Sequence, residues 1–479
     1  MSLTIPIERG GEPLFRQVYA GLRQAIVAGS LKSGERLPST RSLAEHLEVS
    51  RTIVVLAYEQ LLAEGFVVGR AGSGTYVAAG LDPVEPGPPA ATARIRLTRY
   101  GEAASRLAPA LDQPPTARGG IRYDFIYGRG GAAQFPFEAW RRILIRQDRN
   151  TSRHAFGYAQ AVGGPDLRGA IAGHLRRARA VRCDASQVLV VNGSQQALDL
   201  IARVLVEAGD PVVIEDPQYT GAREILRAAG ACMLPVRVDR DGIDTARLEE
   251  GARLAFVTPS HQFPTGAILP LARRLALLAW ADRNDAIVVE DDYDGEFRYE
   301  GQPLESLQGL DRAGRVIYVG TFSRTIFASL RLGYLVVPPP LVPAFTAAKW
   351  LSDRHTASLE QRTLAEFIAC GQYERHLRRL RRLNTARRAA LLEAIAEHLP
   401  AGMEITGDGA GAHIALWLNG RFSEEEAIER AAARGVGVYG VSRYFLGSRR
   451  PGLLLGYAQL GVEDIRAGIA RFGEALSVS

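Results

Sequence analysis

The sequence contains very little lysine and very little cysteine. Its 479 residues include 58 lysines and arginines together, but only Lys32 and Lys349 are lysines. The three cysteines, Cys183, Cys232 and Cys370, lack metal-ligand spacing, which excludes a disulfide framework and indicates a reducing, cytoplasmic compartment. No run of about eighteen apolar residues exists, so we expect no membrane span. The N-terminus reaches charged residues too early for a signal peptide.

Composition places the chain among soluble globular proteins. Apolar residues make up 47% of the chain and charged residues 23%. A chain of this length is too long for one ordinary core, so we expect two or three domains. The net charge of +6 is too small to indicate nucleic-acid binding by itself. A nucleic-acid function therefore has to be argued from the arrangement of the residues.

The chain divides into three segments of different composition. Residues 12–78 predict three short helices followed by a β-hairpin. Residues 79–120 are rich in Pro, Ala and Gly, lack sustained periodicity and predict a linker. From residue 121 to 479, the apolar runs VLVV, VVIED, LAFVT, AIVVED and VIYVGT alternate with helical patterns. That alternation predicts an α/β domain with a mostly parallel sheet covered on both faces.

The first segment has the pattern of a helix-turn-helix. An apolar stripe recurs every four residues, through Leu14, Val18, Leu22 and Ile26. The stretches LPSTRSLAEHL and VSRTIVVLAYEQLLAEGF follow, and only a tight turn separates the two helices that they predict. The second helix would therefore present Ser50, Arg51 and Thr52 at its N-terminal end, from which base edges can be reached.

A predicted wing follows these helices. The stretch FVVGRAGSGTYVA predicts two short strands around a glycine-rich tip. The alternative is a small helical docking domain. Residues 1–80 hold eight basic and seven acidic residues, so the segment is not broadly basic. The arginines nevertheless lie at the turn, the helix starts and the wing tip, and this arrangement favours DNA binding: Arg36, Arg41, Arg51 and Arg70.

Polar residues follow several predicted strands of the third segment. NGSQQALDL follows one strand and opens a helix, so its backbone N–H groups would face an anion. EDPQYTG, TPSHQFPTG and EDDYDGEF follow three further strands. Each motif alone is compatible with an ordinary capped loop. Together they fall at the carboxyl ends of strands in one sheet, where open α/β sheets bind ligands.

The motifs of the chain resemble two known families. LPSTRSLAEHLEVSRT, AYEQLLAEGF and GSGTYV resemble the winged-helix domain of GntR-type bacterial regulators. FGYAQAVGGPDLRGAIAGHL, GSQQALDL, EDDYDGEFRY and GTFSRT…LRLGYLV resemble the fold-type I aminotransferase domain, which uses pyridoxal 5'-phosphate (PLP). The order of the two domains, over nearly the whole chain, resembles the MocR-type regulators. The first resemblance implies DNA contacts by Arg41, Ser50, Arg51, Thr52, Gly72 and Gly74.

The second resemblance implies a PLP site without a metal. Asp291 would pair with the pyridine nitrogen, Tyr293 would bond the phenolic oxygen, and Tyr219 would stack on the ring. The remaining residues would hold the phosphate, the last of them supplied by the partner subunit of a homodimer: Ser194, Gln195, Ser323, Arg331 and Tyr158.

Arg324 stands where the family has the lysine that forms a Schiff base with PLP. A guanidinium stays protonated and cannot supply that amine. Lys349, the only lysine of the third segment, is expected on a surface helix. Two explanations stay open. Either lysine has drifted to arginine at a position where the chemistry no longer requires an amine, or Arg324 offers a fixed positive charge to an anionic ligand. In either case we expect no transamination, and PLP binding that is non-covalent at best.

These features predict a sequence-specific DNA-binding transcriptional regulator. Its aminotransferase-like domain would serve dimerisation and the sensing of a small effector, such as an amino acid or a vitamin B6-like compound, with no role for a membrane. The alternative is a PLP-dependent aminotransferase fused to a DNA-binding domain, and a third hypothesis is a scaffold with an inactive pocket. Arg324 argues against the enzyme, as does GLLLGYA (452–458), which lacks the arginine that binds the substrate carboxylate in catalytic aminotransferases.

Overall fold

The computed structural model describes residues 5–80, 96–111, 120–128, 132–149, 157–299 and 305–477. The chain forms two compact units, which divide between Arg96 and Leu97. The segment predicted to bind DNA falls in the first unit, and the segment predicted to resemble an aminotransferase falls in the second. Over the described ranges, no helix has both the length and the apolar character needed to cross a membrane.

The first unit consists of three helices and a hairpin: α1 (Leu14–Val27), α2 (Thr40–His46), α3 (Arg51–Ala63), β1 (Val67–Arg70) and β2 (Gly74–Val77). The predicted stripe of α1 faces the core, because Val18, Leu22 and Ile26 are almost fully buried. α1 packs against α3, and the two strands pair antiparallel, with Val67 opposite Val77. The predicted winged helix-turn-helix is confirmed.

The turn between α2 and α3 is tight because Glu48 adopts the left-handed conformation, with φ of +52°. Ser39 caps α2 by accepting the backbone N–H of Ser42 at 3.1 Å. The Tyr58 hydroxyl of α3 donates to the Pro38 carbonyl at 2.8 Å, just ahead of that cap. These bonds fix the angle between the two helices.

Helices and strands alternate in the second unit, as its apolar pattern predicts. Its described helices are α4 (Arg99–Leu111), α5 (Phe137–Arg149), α6 (Pro165–Arg179), α7 (Ser194–Leu205), α8 (Thr220–Ala229), α9 (Leu271–Arg283), α10 (Leu307–Leu310), α11 (Val342–Asp353), α12 (Ser358–Ala369), α13 (Gln372–His398), α14 (Glu424–Ala433) and α15 (Val462–Ser477). Its described strands are β3 (Tyr123–Asp124), β4 (Val188–Val191), β5 (Pro211–Asp216), β6 (Cys232–Asp239), β7 (Gly242–Ile243), β8 (Leu254–Val257), β9 (Ile287–Asp292), β10 (Val316–Thr321), β11 (Gly333–Val336), β12 (Glu404–Thr406), β13 (His413–Trp417), β14 (Val436–Gly437), β15 (Tyr439–Gly440) and β16 (Gly452–Gly456).

The main sheet has eight strands in the order β4-β11-β10-β9-β8-β5-β6-β7. The neighbours from β10 to β6 pair in parallel, whereas β11 and β7 run antiparallel to their neighbours. Every residue of β4 and β8 is buried, because helices cover both faces of the sheet. The predicted mostly parallel sheet of an α/β domain is confirmed.

A smaller antiparallel sheet forms near the C-terminus, in the order β12-β13-β16-β15. Its buried residues share an apolar core with helices α13, α14 and α15. α13 and α15 pack closely along one another. The stretch GLLLGYA forms β16 of this sheet and continues to Ala458.

The predicted linker contains a helix, so that part of the prediction is wrong. Residues 99–111 form α4, which packs against α8 of the second unit. The physical reason is the i, i+4, i+7 spacing of Tyr100, Ala104 and Leu107, which places them on one helix face within an alanine-rich stretch. The rest of the predicted linker includes residues 81–95 and 112–119, which lie outside the described residues. The domain limits of 12–78 and 121–479 stay predictions.

Candidate functional site

The parallel strands bring the predicted ligand residues to one edge of the main sheet. β5, β8, β9 and β10 run parallel, so their carboxyl ends lie side by side. Ser194 follows β4, Tyr219 follows β5, and Asp291 is the penultimate residue of β9. Arg324 lies in the loop between β10 and β11. Residues up to about 130 positions apart thus meet where α/β sheets bind ligands.

The turn between β4 and α7 forms an anion-binding corner. Gly193 has φ of +84°, and Ser194 begins α7, whose first N–H groups lack acceptors within the helix. The Arg331 guanidinium donates to the Asn192 carbonyl at 3.0 Å. A Cβ added at Gly193 would lie 2.8 Å from Arg331 Nη2, so the close approach requires glycine. A helix N-terminus and a cation therefore converge, as a phosphate requires.

Lys349 supports this corner through an ion pair with Asp353. It is 0% exposed on α11, so the predicted surface position is wrong. Its ammonium group lies 2.5 Å from Asp353 Oδ1, while Asp353 Oδ2 accepts the side-chain amides of Asn192 at 2.6 Å and Gln196 at 2.8 Å. Burial lowers the pKa of Lys349, and the Asp353 carboxylate opposes that change. The ion pair makes burial of the ammonium tolerable.

Tyr219 and Gln195 meet across the mouth of the site. The Tyr219 hydroxyl donates to Gln195 Oε1 at 3.3 Å, and its ring meets Phe263 edge-on at 6.0 Å. Ser323 lies beside Arg324 in the β10–β11 loop, and its N–H donates to Thr321 Oγ1 at 3.2 Å. The predicted phosphate residues and Tyr219 thus lie on three turns along one edge of the main sheet.

The carboxylates after β9 differ in their partners. Asp292 pairs with Arg179 at 2.7 Å and accepts the Tyr318 hydroxyl at 2.5 Å, and Glu290 accepts two backbone N–H groups. Asp291 is only 6% exposed, and its Oδ1 has no partner within the described residues. Burial raises the pKa of Asp291 to about 7, with the charge of Asp292 adding to the rise. A buried, unpartnered carboxyl of this kind suits a protonated ring nitrogen.

Tyr293 is held by a histidine to which the sequence analysis assigned no role. The Tyr293 hydroxyl lies 3.1 Å from His261 Nδ1, which also lies 3.1 Å from Asp294 Oδ2. His261 Nε2 faces the Gly407 carbonyl at 3.2 Å. Burial alone would lower the pKa of His261, but the Asp294 charge raises it above its ordinary value. The signal for this role was present in TPSHQFPTG, where His261 directly follows a strand.

His261, Asp294 and His413 also resemble a metal-ligand set. Their donor atoms lie within 4.8 Å of one another and all three residues are buried. His413 Nδ1 has no partner within the described chain. Burial, followed by the charges of His261 and Arg324, holds the pKa of His413 well below its ordinary value. The nearby guanidinium charge opposes a metal cation, so we interpret the cluster as a hydrogen-bonded support for Tyr293.

Arg324 is half-buried among aromatic rings. Its Nη2 donates to the Tyr127 hydroxyl at 2.5 Å, and its guanidinium carbon lies 4.3 Å from the Tyr127 ring centre and 6.0 Å from that of Tyr293. A Cβ added at Gly128 would lie 2.9 Å from Arg324 Nη1, so glycine leaves room for the guanidinium. Burial alone would lower the pKa of Arg324, but Tyr127 and Asp294 raise it above its ordinary value. The group is therefore a permanent cation.

Tyr158 lies apart from the other predicted ligand residues of the same chain. Its side chain is 81% exposed. The Arg354 guanidinium lies 4.5 Å from its ring centre, and His355 meets the ring at 6.0 Å. Neither neighbour belongs to the predicted site. A role for Tyr158 therefore requires a second subunit.

An open cleft of about 940 Å³ adjoins the site. Gln195 and Tyr127 line both the site and this cleft. Leu454 of β16 lines the cleft, and it lies in GLLLGYA, the stretch that lacks a carboxylate-binding arginine. The remaining lining includes side chains of α4, α8 and the turn before β16, among them Tyr100, Leu107, Ile225, Arg443 and Tyr444. Leu454 is therefore an apolar part of the lining, whereas Arg223 and Arg443 are cationic parts of it.

The predicted DNA-contact residues lie on the surface of the first unit. Ser50, Arg51 and Thr52 are exposed at the N-terminal end of α3. Ser50 makes no capping hydrogen bond, and Arg51 Nε donates to Thr40 Oγ1 at 3.4 Å. Arg41 is exposed in the first turn of α2. These side chains can reach a groove, although their contact with DNA stays a prediction.

The wing tip is shaped by two glycines. Gly72 and Gly74 have φ of +71° and +117°, which other residues rarely adopt. A Cβ added at Gly74 would lie 3.0 Å from Arg36 Nε. Arg70 lies 4.6 Å from the ring centre of Tyr76 across the hairpin. The tip thus carries two arginines close to its exposed backbone.

Two family models match the chain: bacterial regulatory proteins of the gntR family over residues 14–77, and aminotransferase class I and II over residues 128–455. The probable rhizopine catabolism regulatory protein MocR of Rhizobium meliloti is 42% identical over 95% of this chain and 92% of its own length. The HTH-type transcriptional regulator TauR of Rhodobacter capsulatus is 35% identical over 99% of this chain and 100% of its own. The crystal structure of LysN, an α-aminoadipate aminotransferase from Thermus thermophilus, gives a TM-score of 0.71 at 30% identity, over 78% of this chain and 96% of that one.

Fold, site and relatives together define a transcriptional regulator built on an aminotransferase fold. The chain belongs to the MocR-type transcriptional regulators, in which a gntR-family domain is joined to a class I and II aminotransferase domain. The relatives support the regulator over the alternative of an aminotransferase enzyme. Members of the class I and II aminotransferase family depend on PLP, which supports PLP as the group that this fold accommodates.

Proposed function

We propose that this regulator binds a PLP-type ligand without a covalent bond, and that ligand binding controls its contact with double-stranded DNA in the cytoplasm. The observation that carries the proposal is Asp291, a buried carboxyl whose Oδ1 has no partner among the described residues. In the same site, Arg324 stands at the position that the family resemblance assigns to the Schiff-base lysine. A carboxyl buried without compensation costs stability, so its retention is explained by a ligand that pairs with it.

The residues present fit such a ligand. The N-terminus of α7 and the Arg331 guanidinium suit a phosphate, and Asp291 suits a protonated ring nitrogen. Tyr219 offers an aromatic face beside Gln195. In PLP enzymes the ring withdraws electrons from a covalently bound substrate. Without the lysine, these groups serve recognition.

The first unit supplies the DNA contacts in this proposal. Arg41, Arg51 and Thr52 project from two helix starts, and an arginine there can grip a phosphate or form two hydrogen bonds to a guanine edge. The unit as a whole is nearly neutral, so specificity rests on these positions.

A homodimer is part of the proposal because an exposed aromatic cluster surrounds Tyr158. Trp350 and Leu351 of α11 are 50% and 77% exposed. Arg354 lies 5.0 Å from the Trp350 ring centre and 4.5 Å from that of Tyr158, which connects the two. Exposed apolar side chains gathered in one place are typical of an interface. The same surface would bring Tyr158 to the neighbouring subunit's phosphate site.

The test is a titration of the full-length protein with PLP, followed by calorimetry and by borohydride treatment of a parallel sample. We expect saturable binding and no stoichiometric adduct after borohydride. The same samples are then added to DNA from the region upstream of the protein's own gene, where the affinity should change on saturation with PLP. Asp291→Ala should abolish both the heat signal and the change in DNA affinity. Stoichiometric trapping in the wild type would contradict the proposal.

A further inference from the structure

Arg324 is a half-buried cation without an anionic partner. Its Nη2 donates to the Tyr127 hydroxyl, and no carboxylate pairs with it within the described ranges. A guanidinium carries five N–H donors. The neutral Tyr127 hydroxyl accepts a hydrogen bond from one of these donors and does not compensate the positive charge. Charges withdrawn from water are ordinarily matched by an opposite charge.

The nearest acids are committed elsewhere or point to another part of a ligand. Asp294 is paired with His261 at 3.1 Å, and Asp292 is paired with Arg179 at 2.7 Å. Asp291 is unpartnered but lies at the end of β9, where it suits a ring nitrogen. The charge of Arg324 nevertheless acts throughout the site, since it opposes the rise in pKa that burial causes at Asp291, Tyr219 and Tyr293. The charge of Arg324 therefore influences several residues of the site, but no anion pairs with it within the described ranges.

We propose that Arg324 makes the site selective for a phosphorylated pyridine that carries a carboxylate in place of the aldehyde of PLP. The inference rests on the proposed function and names the ligand class of the same site. A carboxylate matches the planar fork of a guanidinium with two charge-assisted hydrogen bonds. The phosphate of such a ligand would bind the anion-binding corner between β4 and α7, its ring nitrogen would pair with Asp291, and its carboxylate would pair with Arg324.

Three probes that differ only in this substituent test the selectivity: 4-pyridoxic acid 5'-phosphate, PLP and pyridoxamine 5'-phosphate. The acid offers a charge-matched acceptor, the aldehyde offers a neutral acceptor, and the protonated amine offers only donors and a like charge. All three share the phosphate and the ring. We expect affinities in the order acid, aldehyde, amine, with the acid at least tenfold tighter than the amine, since about 1.4 kcal/mol gives a factor of ten.

The experiment measures the three dissociation constants by calorimetry on the full-length wild-type protein, on Arg324→Gln and on a matched control, Arg240→Gln. Arg240 is exposed and pairs with Glu404 at 3.3 Å, outside the site. Arg324→Gln keeps hydrogen-bonding groups and removes the charge, so the acid's advantage over the amine should fall at least tenfold. Arg240→Gln should keep the wild-type order. Melting temperatures of the ligand-free proteins show whether each variant is folded.

The outcomes separate this inference from the proposed function. If none of the three probes binds the wild type, the proposed function fails and the inference fails with it. If PLP binds but the amine binds as tightly as the acid, the selectivity is wrong while non-covalent binding stands. An acid preference that survives in Arg324→Gln would also overturn the role of Arg324. Should that variant not fold, the order of the three probes on the wild type decides alone.

Discussion

The two units of this protein hold their functional residues in opposite ways. In the first unit the predicted contact residues are exposed and nearly contiguous, with Ser50, Arg51 and Thr52 in one helical turn. In the second, the candidate ligand residues between Ser194 and Arg331 come from four separate strand ends. They range from buried, at Asp291 and Tyr293, to exposed, at Gln195 and Arg331. A local sequence can set the first arrangement, whereas only a folded sheet can assemble the second.

The two units should also differ in how substitutions affect binding affinity and the stability of the fold. An exposed arginine at a helix start has few neighbours, so its replacement should alter affinity and leave folding almost unchanged. A buried acid such as Asp291 lowers the stability of the ligand-free protein, because its ionised form lacks both water and a partner. Substitutions in the second unit should therefore change ligand binding and stability together, and the following predictions test that contrast.

The largest effect is expected from Arg324→Lys. A lysine amine at this position can condense with the aldehyde of PLP, with loss of water, so we expect a new absorbance band and stoichiometric trapping by borohydride at residue 324. The wild type should show neither, and mass spectrometry of the digested protein locates the adduct. A colourless variant in excess PLP would mean that the site has lost more than its lysine.

Asp291→Asn should stabilise the ligand-free protein at neutral and alkaline pH. The pKa of Asp291 is raised from its ordinary 3.8 to about 7, so the folded protein holds this proton more tightly than the unfolded chain. The cost of ionisation therefore grows as the pH rises from about 4 to about 7, and it reaches a few kcal/mol above that. Denaturation of wild type and variant at pH 5.5 and pH 8 should show the larger gain at pH 8.

The control for this substitution is Asp148→Asn, at an exposed position of α5. It should leave stability nearly unchanged at both pH values. A gain from Asp291→Asn that does not depend on pH would contradict the raised pKa.

Arg51→Ala should weaken specific DNA binding by about 1–3 kcal/mol if Arg51 contacts a base edge. The side chain is exposed and makes one side-chain hydrogen bond, at 3.4 Å, so the melting temperature should stay near that of the wild type. Fluorescence anisotropy with DNA from upstream of the protein's own gene measures the loss. Arg16→Ala, an exposed arginine on α1, is the matched control and should have a smaller effect. Equal affinities of the Arg51 variant and the wild type at several salt concentrations would refute the assignment.

Leu351→Glu should weaken the proposed homodimer by roughly tenfold, because a charge then replaces an exposed apolar side chain next to Trp350 on α11. Sedimentation at several protein concentrations measures the change. Leu271→Glu, at another exposed leucine on α9, should leave the dimer intact. A wild type that sediments as a monomer at micromolar concentration would exclude the interface altogether.

Local patterns predicted much of the fold. The four-residue spacing of Val18, Leu22 and Ile26 predicted the buried face of α1, because helix periodicity is a property of neighbouring residues. The apolar runs predicted β4, β5, β8, β9 and β10 for the same reason. α4 was missed because composition, rich in Pro, Ala and Gly, outweighed a short helical spacing that gains stability only by packing on α8.

The sequence alone places an arginine at residue 324, and from this residue we expect that the chain lacks the lysine chemistry of the aminotransferase fold. It also determined the order of the two units and the local pattern of each. Three features follow only from the tertiary structure: Lys349 is buried against Asp353, His261 supports Tyr293, and Asp291 Oδ1 has no partner among the described residues. Burial and pairing depend on residues far away in the chain, which the sheet brings together and no local pattern records.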